Sequence, residues 1–178
     1  NIEIIIAGLG TVGSSLIGII ESNKSHIEER INKKIIICGI SAKNKNKKRN
    51  FSINNYKWFD NPLDMITQTK PDIFIELMGF EKDISYDSIK LCITKGINII
   101  TANKALIANN GNELLSLAEK SNVSILFEAS VAGEIPIIKS LKSLLISKNI
   151  TKISGILNGT TNYILSNMTI NQISFKKS

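Results

Sequence analysis

Apolar residues along this chain gather in short, nearly unbroken runs rather than in strict alternation. Ile2–Ala7 (IEIIIA), Lys34–Ile40 (KIIICGI), Asp72–Leu77 (DIFIEL), Asn98–Thr101 (NIIT) and Val123–Phe127 (VSILF) are each of strand length. Such runs predict strands covered on both faces. Between them lie helical patterns. From Thr11 onward, Val12, Leu16, Ile19 and Ile20 fall near one helical face. Asn61-Pro62 opens a second helix, with Asn61 as N-cap and Pro62 at the first helical position. Ile84–Lys95 is a third, closed by Gly96, and a fourth follows Lys104 and runs to Lys120, interrupted around Asn109-Asn110-Gly111. Tyr56–Phe59 adds a short strand. Strands separated by helices of ~10–15 residues build right-handed βαβ units, so the pattern predicts an α/β fold with a doubly wound parallel sheet.

The pattern changes after Glu128. Ala129–Gly133 is a loop of small residues, and Pro136 opens an amphipathic helix to Ile146 with the stripe Ile137, Ile138, Leu141, Leu144 and Leu145. Thr151–Leu157 is strand-like, and Asn158-Gly159-Thr160-Thr161 is a strand-to-helix turn before a helix that fades by Met168. The expected division is residues 1–130 as one domain and residues 131–178 as the hinge helix and opening of a second α+β domain. The chain starts at Asn1 rather than Met and ends on NQISFKKS without a stop signal, which reads as a second domain cut short.

The most informative stretch joins the first strand to the first helix. Gly8-Leu9-Gly10-Thr11-Val12-Gly13 satisfies G-x-G-x-x-G in the strand–turn–helix context that gives the pattern meaning. In a Rossmann-type fold the first glycine makes the turn, the second lets backbone approach a pyrophosphate, and the third lets helix lie on strand. The helix N-terminus then faces the phosphate. The second strand ends Ser41-Ala42-Lys43, with no acid before Asp60 to accept from a ribose 2′-hydroxyl. Small, hydroxyl and cationic groups suit a 2′-phosphate, so the reading leans to NADP, or a site accepting both, with Lys43 as the phosphate partner. Lys45, Lys47 and Lys48 are read as solvated loop lysines. Ser41, Glu76, Lys104 and Glu128 fall at strand carboxyl ends and are expected to converge on one crevice.

Composition narrows the function classes. No stretch approaches ~18 consecutive apolar residues, so no membrane helix is predicted, and strand residues at the very start leave no visible signal peptide. Cys38 and Cys92 read as buried apolar side chains in a reducing compartment. The single histidine, His26, lies in a polar stretch, which speaks against zinc and against a histidine-based nucleophile. Of the 22 basic residues, five fall at Lys43, Lys45, Lys47, Lys48 and Arg49, so most of the +7 net charge is local. That weakens a general nucleic-acid reading.

The ordered series AGLGTVGSS, ELMGF, TANKALIA, FEASVAGEIPII and GILNGTTNYIL resembles homoserine dehydrogenase from Ile4 to about Met168. The resemblance implies an NAD(P)-dependent oxidoreductase interconverting aspartate 4-semialdehyde and homoserine in threonine and methionine biosynthesis. It implies a cytoplasmic enzyme, a homodimer when full length, with a small-molecule substrate. By this similarity Gly8, Leu9, Gly10, Thr11, Val12 and Gly13 contact the cofactor, and Lys104 lies near cofactor and substrate. It also places a monovalent cation, usually sodium, at Glu128, Val131, Gly133 and Ile135, and sets Asn158, Gly159 and Thr160 close to the substrate. A hard cation takes oxygen ligands.

Two residues depart from the family pattern: Phe80 where a second glycine usually follows ELMG, and Glu134 where a glycine commonly follows VAG. The acidic residues and the lysine that serve the substrate in the family lie beyond NGTTNYIL, so the fragment alone is expected to be inactive. The competing readings are a non-catalytic nicotinamide-sensing module and nucleic-acid binding through residues 43–49.

Overall fold

The computed structural model describes residues 1–79, 84–133, 135–145, 150–156 and 159–177. The chain divides into two compact units, Asn1–Ser130 and Val131–Ser178.

The first unit contains β1 (Ile2–Ala7), α1 (Thr11–Ile31), β2 (Ile35–Ser41), β3 (Trp58–Phe59) and α2 (Pro62–Thr69). It continues with β4 (Ile73–Glu76), α3 (Ile84–Thr94), β5 (Asn98–Thr101), α4 (Lys104–Lys120) and β6 (Ile125–Leu126). All strands are parallel, in the order β3-β2-β1-β4-β5-β6. The direction of winding reverses between β1 and β4. Right-handed crossovers therefore put α1 on one face and α2, α3 and α4 on the other.

Burial follows from this winding. Ile4, Ile6, Ile35, Ile40 and Ile75 pack with Ile17 and Ile20 of α1, while Ile5, Phe74 and Ile99 pack with Met65, Ile89, Leu106 and Leu114 on the opposite face. Successive residues of β1 thus enter different cores, which is why the strand reads as a continuous apolar run. β2 is covered less fully than its sequence suggests: Ile36 is exposed, and Ile37 and Cys38 are half-buried. Its register slips against β1 between Ile4 and Ile5, so Ile37 and Gly39 are the successive partners and Cys38 is the extra residue. Burial pushes both thiols up from their ordinary values, aided at Cys38 by the nearby negative charge of Glu3.

Three helix readings are corrected. The buried face of α1 is Gly13, Ile17 and Ile20, with Leu16 half-buried, whereas Val12 and Ile19 are 61% and 58% exposed. The close approach of Gly13 to β1 fixes the rotation of the helix and turns Val12 outward. α4 is unbroken from Lys104 to Lys120, with Gly111 buried. A helical glycine costs ~1 kcal/mol relative to alanine. Full burial of Leu106 and Leu114 contributes ~1.5–3 kcal/mol each and outweighs it. His26 lies within α1 and is exposed. The Asn61 cap is as expected: its side chain accepts from the Leu63 N–H at 2.9 Å, with Pro62 in the first turn.

The second unit holds α5 (Ile137–Leu145) and α6 (Gly159–Asn171). On α5, Ile137, Ile138 and Leu141 are half-buried while Leu144 is 57% exposed; Ile146 lies outside the described residues. Residues 151–156 form no strand, because no neighbouring strand offers them a ladder among the described residues. α6 runs past Met168 to Asn171, and Gly159 and Thr160 form its first turn rather than its cap. Tyr163, Leu165 and Ile170 on this helix are exposed.

Candidate dinucleotide-binding site

The site starts where β1 ends. Leu77 N–H donates to the Ala7 carbonyl at 2.7 Å and Gly8 N–H donates to the Ser41 carbonyl at 2.9 Å, so the turn is anchored to the ends of β4 and β2 at once. Gly8 has φ +97°, and a Cβ there would lie 2.3 Å from the Leu77 carbonyl. A Cβ on Gly13 would lie 1.9 Å from the Gly8 carbonyl oxygen. Both glycines are demanded by the protein's own packing. Gly10 differs: a Cβ there meets nothing within 4 Å. The fold itself has no use for its missing side chain. Gly10 is also the N-cap of α1, without a side-chain cap and with no acid in the first turn. The first-turn N–H groups and the positive end of the helix therefore face open space that an anion can fill.

A cavity of about 660 Å³ lies against this turn. Gly8, Leu9 and Gly10 line it with Ser41 at the end of β2, Ala42, Lys43, Asn44, Lys47 and Arg49 from the β2–β3 connection, Asp60 and Pro62 beyond β3, Leu77 and Met78 after β4, and Ile84 at the start of α3. It sits outside strand carboxyl ends at the point where the winding reverses, the place where open parallel sheets bind ligands. A smaller cavity of about 270 Å³ adjoins it, lined in part by Thr11, Ser14, Ser15, Lys47 and Lys48. The cavities thus gather Gly8, Leu9, Gly10, Thr11 and Lys43, as the sequence suggests. Val12 is exposed beside them and Gly13 is buried beneath the turn.

The lysines of the basic run are exposed, as a surface loop requires, and its arginine holds the loop together. Arg49 is half-buried, and its guanidinium donates to the carbonyls of Asn44 (2.6 Å), Lys47 (2.9 Å), Lys45 (3.0 Å) and, through Nε, Leu9 (3.4 Å). It also lies 5.6 Å from the centre of the Trp58 ring. One planar fork therefore winds the loop and ties it to the glycine turn, a task that suits arginine and not lysine. Lys47, read from the sequence as solvated, lines both cavities. Sequence reasoning passed over Arg49; the sole available signal was an arginine closing a run of lysines just before an apolar residue. Asp60 was also passed over; its carboxylate accepts from Trp58 Nε1–H at 2.7 Å. The acidic lining residue is outnumbered by Lys43, Lys47 and Arg49.

The expected convergence of Ser41, Glu76, Lys104 and Glu128 is not what the structure brings about. Ser41 and Glu76 end their strands and Lys104 and Glu128 follow theirs, yet of the four Ser41 alone lines the cavity. Glu76 is fully buried. Its Oε1 accepts from Met78 N–H (2.9 Å) and the Ser85 hydroxyl (3.1 Å), and its Oε2 accepts from the Thr101 hydroxyl (2.6 Å). Hydrogen bonds to a charged group are worth ~1.5–3 kcal/mol each, which offsets the several kcal/mol that burial of a carboxylate costs. Lys104 is exposed at the first position of α4, held by the Asn103 cap, whose side chain accepts from Leu106 N–H at 3.1 Å. Two strands separate β5 from β2, so Lys104 stands away from the basic loop.

The cation residues fall in different units. Glu128 is half-buried in a 3-10 turn, Glu128–Ser130, of the first. In the second, Val131 is half-buried, Gly133 and Ile135 are exposed, and Ala132 and Gly133 have φ of 55° and 62°. The Ile135 carbonyl accepts from Ile137 N–H at 2.8 Å. The donors offered are all oxygens, fitting a hard cation, and no group of three His, Cys, Asp or Glu side chains that could hold a metal occurs among the described residues. Asn158, Phe80 and Glu134 lie outside the described residues.

Comparison with known proteins agrees with this geometry. Residues 8–128 match the family model of the homoserine dehydrogenase NAD binding domain, and residues 136–178 match that of homoserine dehydrogenase. Homoserine dehydrogenase of Neisseria gonorrhoeae is 38% identical over 94% of this chain, which spans 38% of that relative's length. The crystal structure of S. aureus homoserine dehydrogenase at pH 7.5 superposes with a TM-score of 0.80 at 38% identity, covering 99% of this chain and 42% of its own. That of Thiobacillus denitrificans gives 0.83 at 33% identity, with 99% and 40% covered. The chain spans about two fifths of the length of these relatives. It belongs to the homoserine dehydrogenase family, and residues 8–128 are its NAD-binding domain.

Proposed function

We propose that this chain is the cofactor-binding part of an enzyme that interconverts aspartate 4-semialdehyde and homoserine at the expense of NADP(H). The observation that carries the reading is the open space at Gly10, a small residue that the fold does not require, at the mouth of a positively lined cavity. When bound, the dinucleotide supplies the hydride. The chain's own residues bind and orient it. The first turn of α1 receives the pyrophosphate. Ser41, Lys43 and Lys47 take the 2′-phosphate end, with Arg49 holding the loop that presents them. Lys104 offers a point charge to the nicotinamide and substrate end.

In this reading residues 1–130 are the cofactor domain, and residues 131–178 belong to a catalytic and dimerisation domain. Asn158, Gly159 and Thr160 border the substrate. Glu128, Val131, Gly133 and Ile135 are the residues that would offer oxygens to a sodium-like cation. The Ile135 oxygen, which accepts from Ile137 N–H, would meet the cation through its other lone pair. Two free thiols suit the reducing cytoplasm. Among the described residues no helix is long and apolar enough to cross a membrane. The basic loop wraps a cavity rather than laying its charges along a face, which favours a cofactor over nucleic acid.

The test is turnover by the full-length protein. Oxidation of NADPH on addition of aspartate semialdehyde, at a kcat/KM at least about tenfold above that with NADH, is expected. No turnover with either cofactor overturns the enzymatic reading. A second outcome concerns the loop. Arg49→Ala should leave the melting temperature nearly unchanged, since the lost bonds are largely exposed, while weakening NADPH about tenfold and NADH less, as read by fluorescence titration.

A further inference from the structure

We propose that Glu76 is a positioning residue: its buried carboxylate sets the placement of Lys104 relative to the loop that follows β4. This rests on the proposed role of Lys104 at the nicotinamide and substrate end.

Glu76 is the last residue of β4, paired on one side with Ala7, immediately before the glycine turn, and on the other with Thr101. Its side chain has no solvent access and reaches three segments that are separate in sequence. Through Oε1 it holds Met78 N–H, fixing the loop that lines the cavity, and the Ser85 hydroxyl in the first turn of α3. Through Oε2 it accepts the Thr101 proton. Thr101 Oγ, with its proton so committed, accepts from Asn103 N–H at 3.0 Å. Asn103 then caps α4, whose first residue is Lys104. The Glu76 carbonyl takes part as well, accepting from Ala102 N–H at 3.3 Å.

The route from Glu76 to Lys104 is thus a chain of hydrogen bonds in which each donor is dictated by the last. A lysine side chain is long and flexible, so what positions its ammonium is the backbone from which it springs. That backbone is a two-residue turn, tied to Glu76 directly at Ala102 and by way of Thr101 at Asn103. The sheet itself makes no such demand. Ile75 and Phe74 complete β4 with apolar side chains, and a carboxylate at the next position adds nothing to strand packing. Its value lies in joining the cavity loop to the Lys104 turn. In this family member the Ser130 hydroxyl, donating to the Thr101 carbonyl at 3.0 Å, ties the Glu128 turn to the same point.

The test uses the full-length protein. Glu76→Gln retains an acceptor for Met78 N–H and Ser85 but presents an amide N–H to Thr101 Oγ, displacing the hydroxyl proton. It is expected to lower kcat/KM at least about tenfold while the NADPH dissociation constant moves less than about twofold. Combined with Lys104→Ala, it should add nothing to the loss caused by Lys104→Ala alone. Additive losses, or full activity in Glu76→Gln, overturn the proposal. Thr101→Val and Thr101→Ser address the same link should Glu76→Gln fold poorly: valine should reproduce the loss and serine restore it, and equal activity in both contradicts the link. Amide hydrogen exchange gives a readout free of turnover. In Thr101→Val the Asn103 and Leu106 amides should exchange at least about tenfold faster while Met78 keeps its protection. Unchanged exchange at all three overturns the proposal whatever the substrate proves to be. Absence of wild-type turnover with faster exchange would instead count against the enzymatic reading alone.

Discussion

Gly13→Ala is expected to destabilise the first unit by about 3 kcal/mol or more and to lower its melting temperature by roughly 10 °C. The new methyl carbon would sit 1.9 Å from the Gly8 carbonyl oxygen, a contact of a Cβ with backbone that no rotamer change relieves. Either α1 lifts from β1 or the glycine turn moves. Lifting α1 also withdraws Ile17 and Ile20 from the core they share with Ile4, Ile6 and Ile40. A built-in comparison is Gly18→Ala in the same helix. Gly18 is exposed and a Cβ there meets nothing within 4 Å, so alanine should stabilise by up to about 1 kcal/mol through helix propensity. Urea or thermal unfolding of the two variants side by side reads both signs. Equal stabilities would mean that the packing of α1 on the turn has been misread.

The opposite separation is expected at Gly10. Gly10→Val should change stability by less than about 1 kcal/mol, because its φ of −76° suits any residue and the side chain enters open space. The same substitution should weaken NADPH at least about a hundredfold, since the branched side chain occupies the path by which a pyrophosphate reaches the first-turn N–H groups. Calorimetric titration with an unfolding curve on the same sample checks both halves. Gly13 and Gly10 are three residues apart in one motif, yet the packing of the fold requires the one and leaves the other free. The motif as a string of letters does not distinguish them.

What was legible in the sequence is what local chemistry decides. β1 and β5 occupy the residues their apolar runs mark out, and Asn61-Pro62 caps a helix as side-chain geometry requires. The strand–turn–helix context of Gly8–Gly13 was equally plain, while the family was carried by the ordered series that runs on through TANKALIA, FEASVAGEIPII and GILNGTTNYIL. Misreadings arose where long-range packing overrode a local signal. Val12 and Ile19 belong to the apolar set of α1, but the contact of Gly13 with Gly8 rotates them into solvent. Asn109-Asn110-Gly111 has the composition of a break, and the burial of Leu106 and Leu114 on either side carries the helix through it.

The site was half legible for the same reason. Lys43 could be placed at the end of β2 from the sequence, because strand ends face the ligand crevice in this fold. The four-carbonyl role of Arg49 depends on how the β2–β3 connection folds back over the glycine turn, and no periodicity encodes that. Glu76 was placed correctly at a strand end, yet its partners Ser85 and Thr101 lie 9 and 25 residues away in the chain. Direction, not position, was missing: the carboxylate turns into the protein rather than toward the crevice.

The most direct measurement is a titration of the folded protein with NADPH and with NADH, run on the wild type and on Gly10→Val. One site per chain is expected in the wild type, with NADPH bound more tightly than NADH, and loss of both in a Gly10→Val protein that unfolds at the wild-type temperature. Undiminished binding by folded Gly10→Val, or no binding of either dinucleotide by the folded wild type, would contradict this reading of the site.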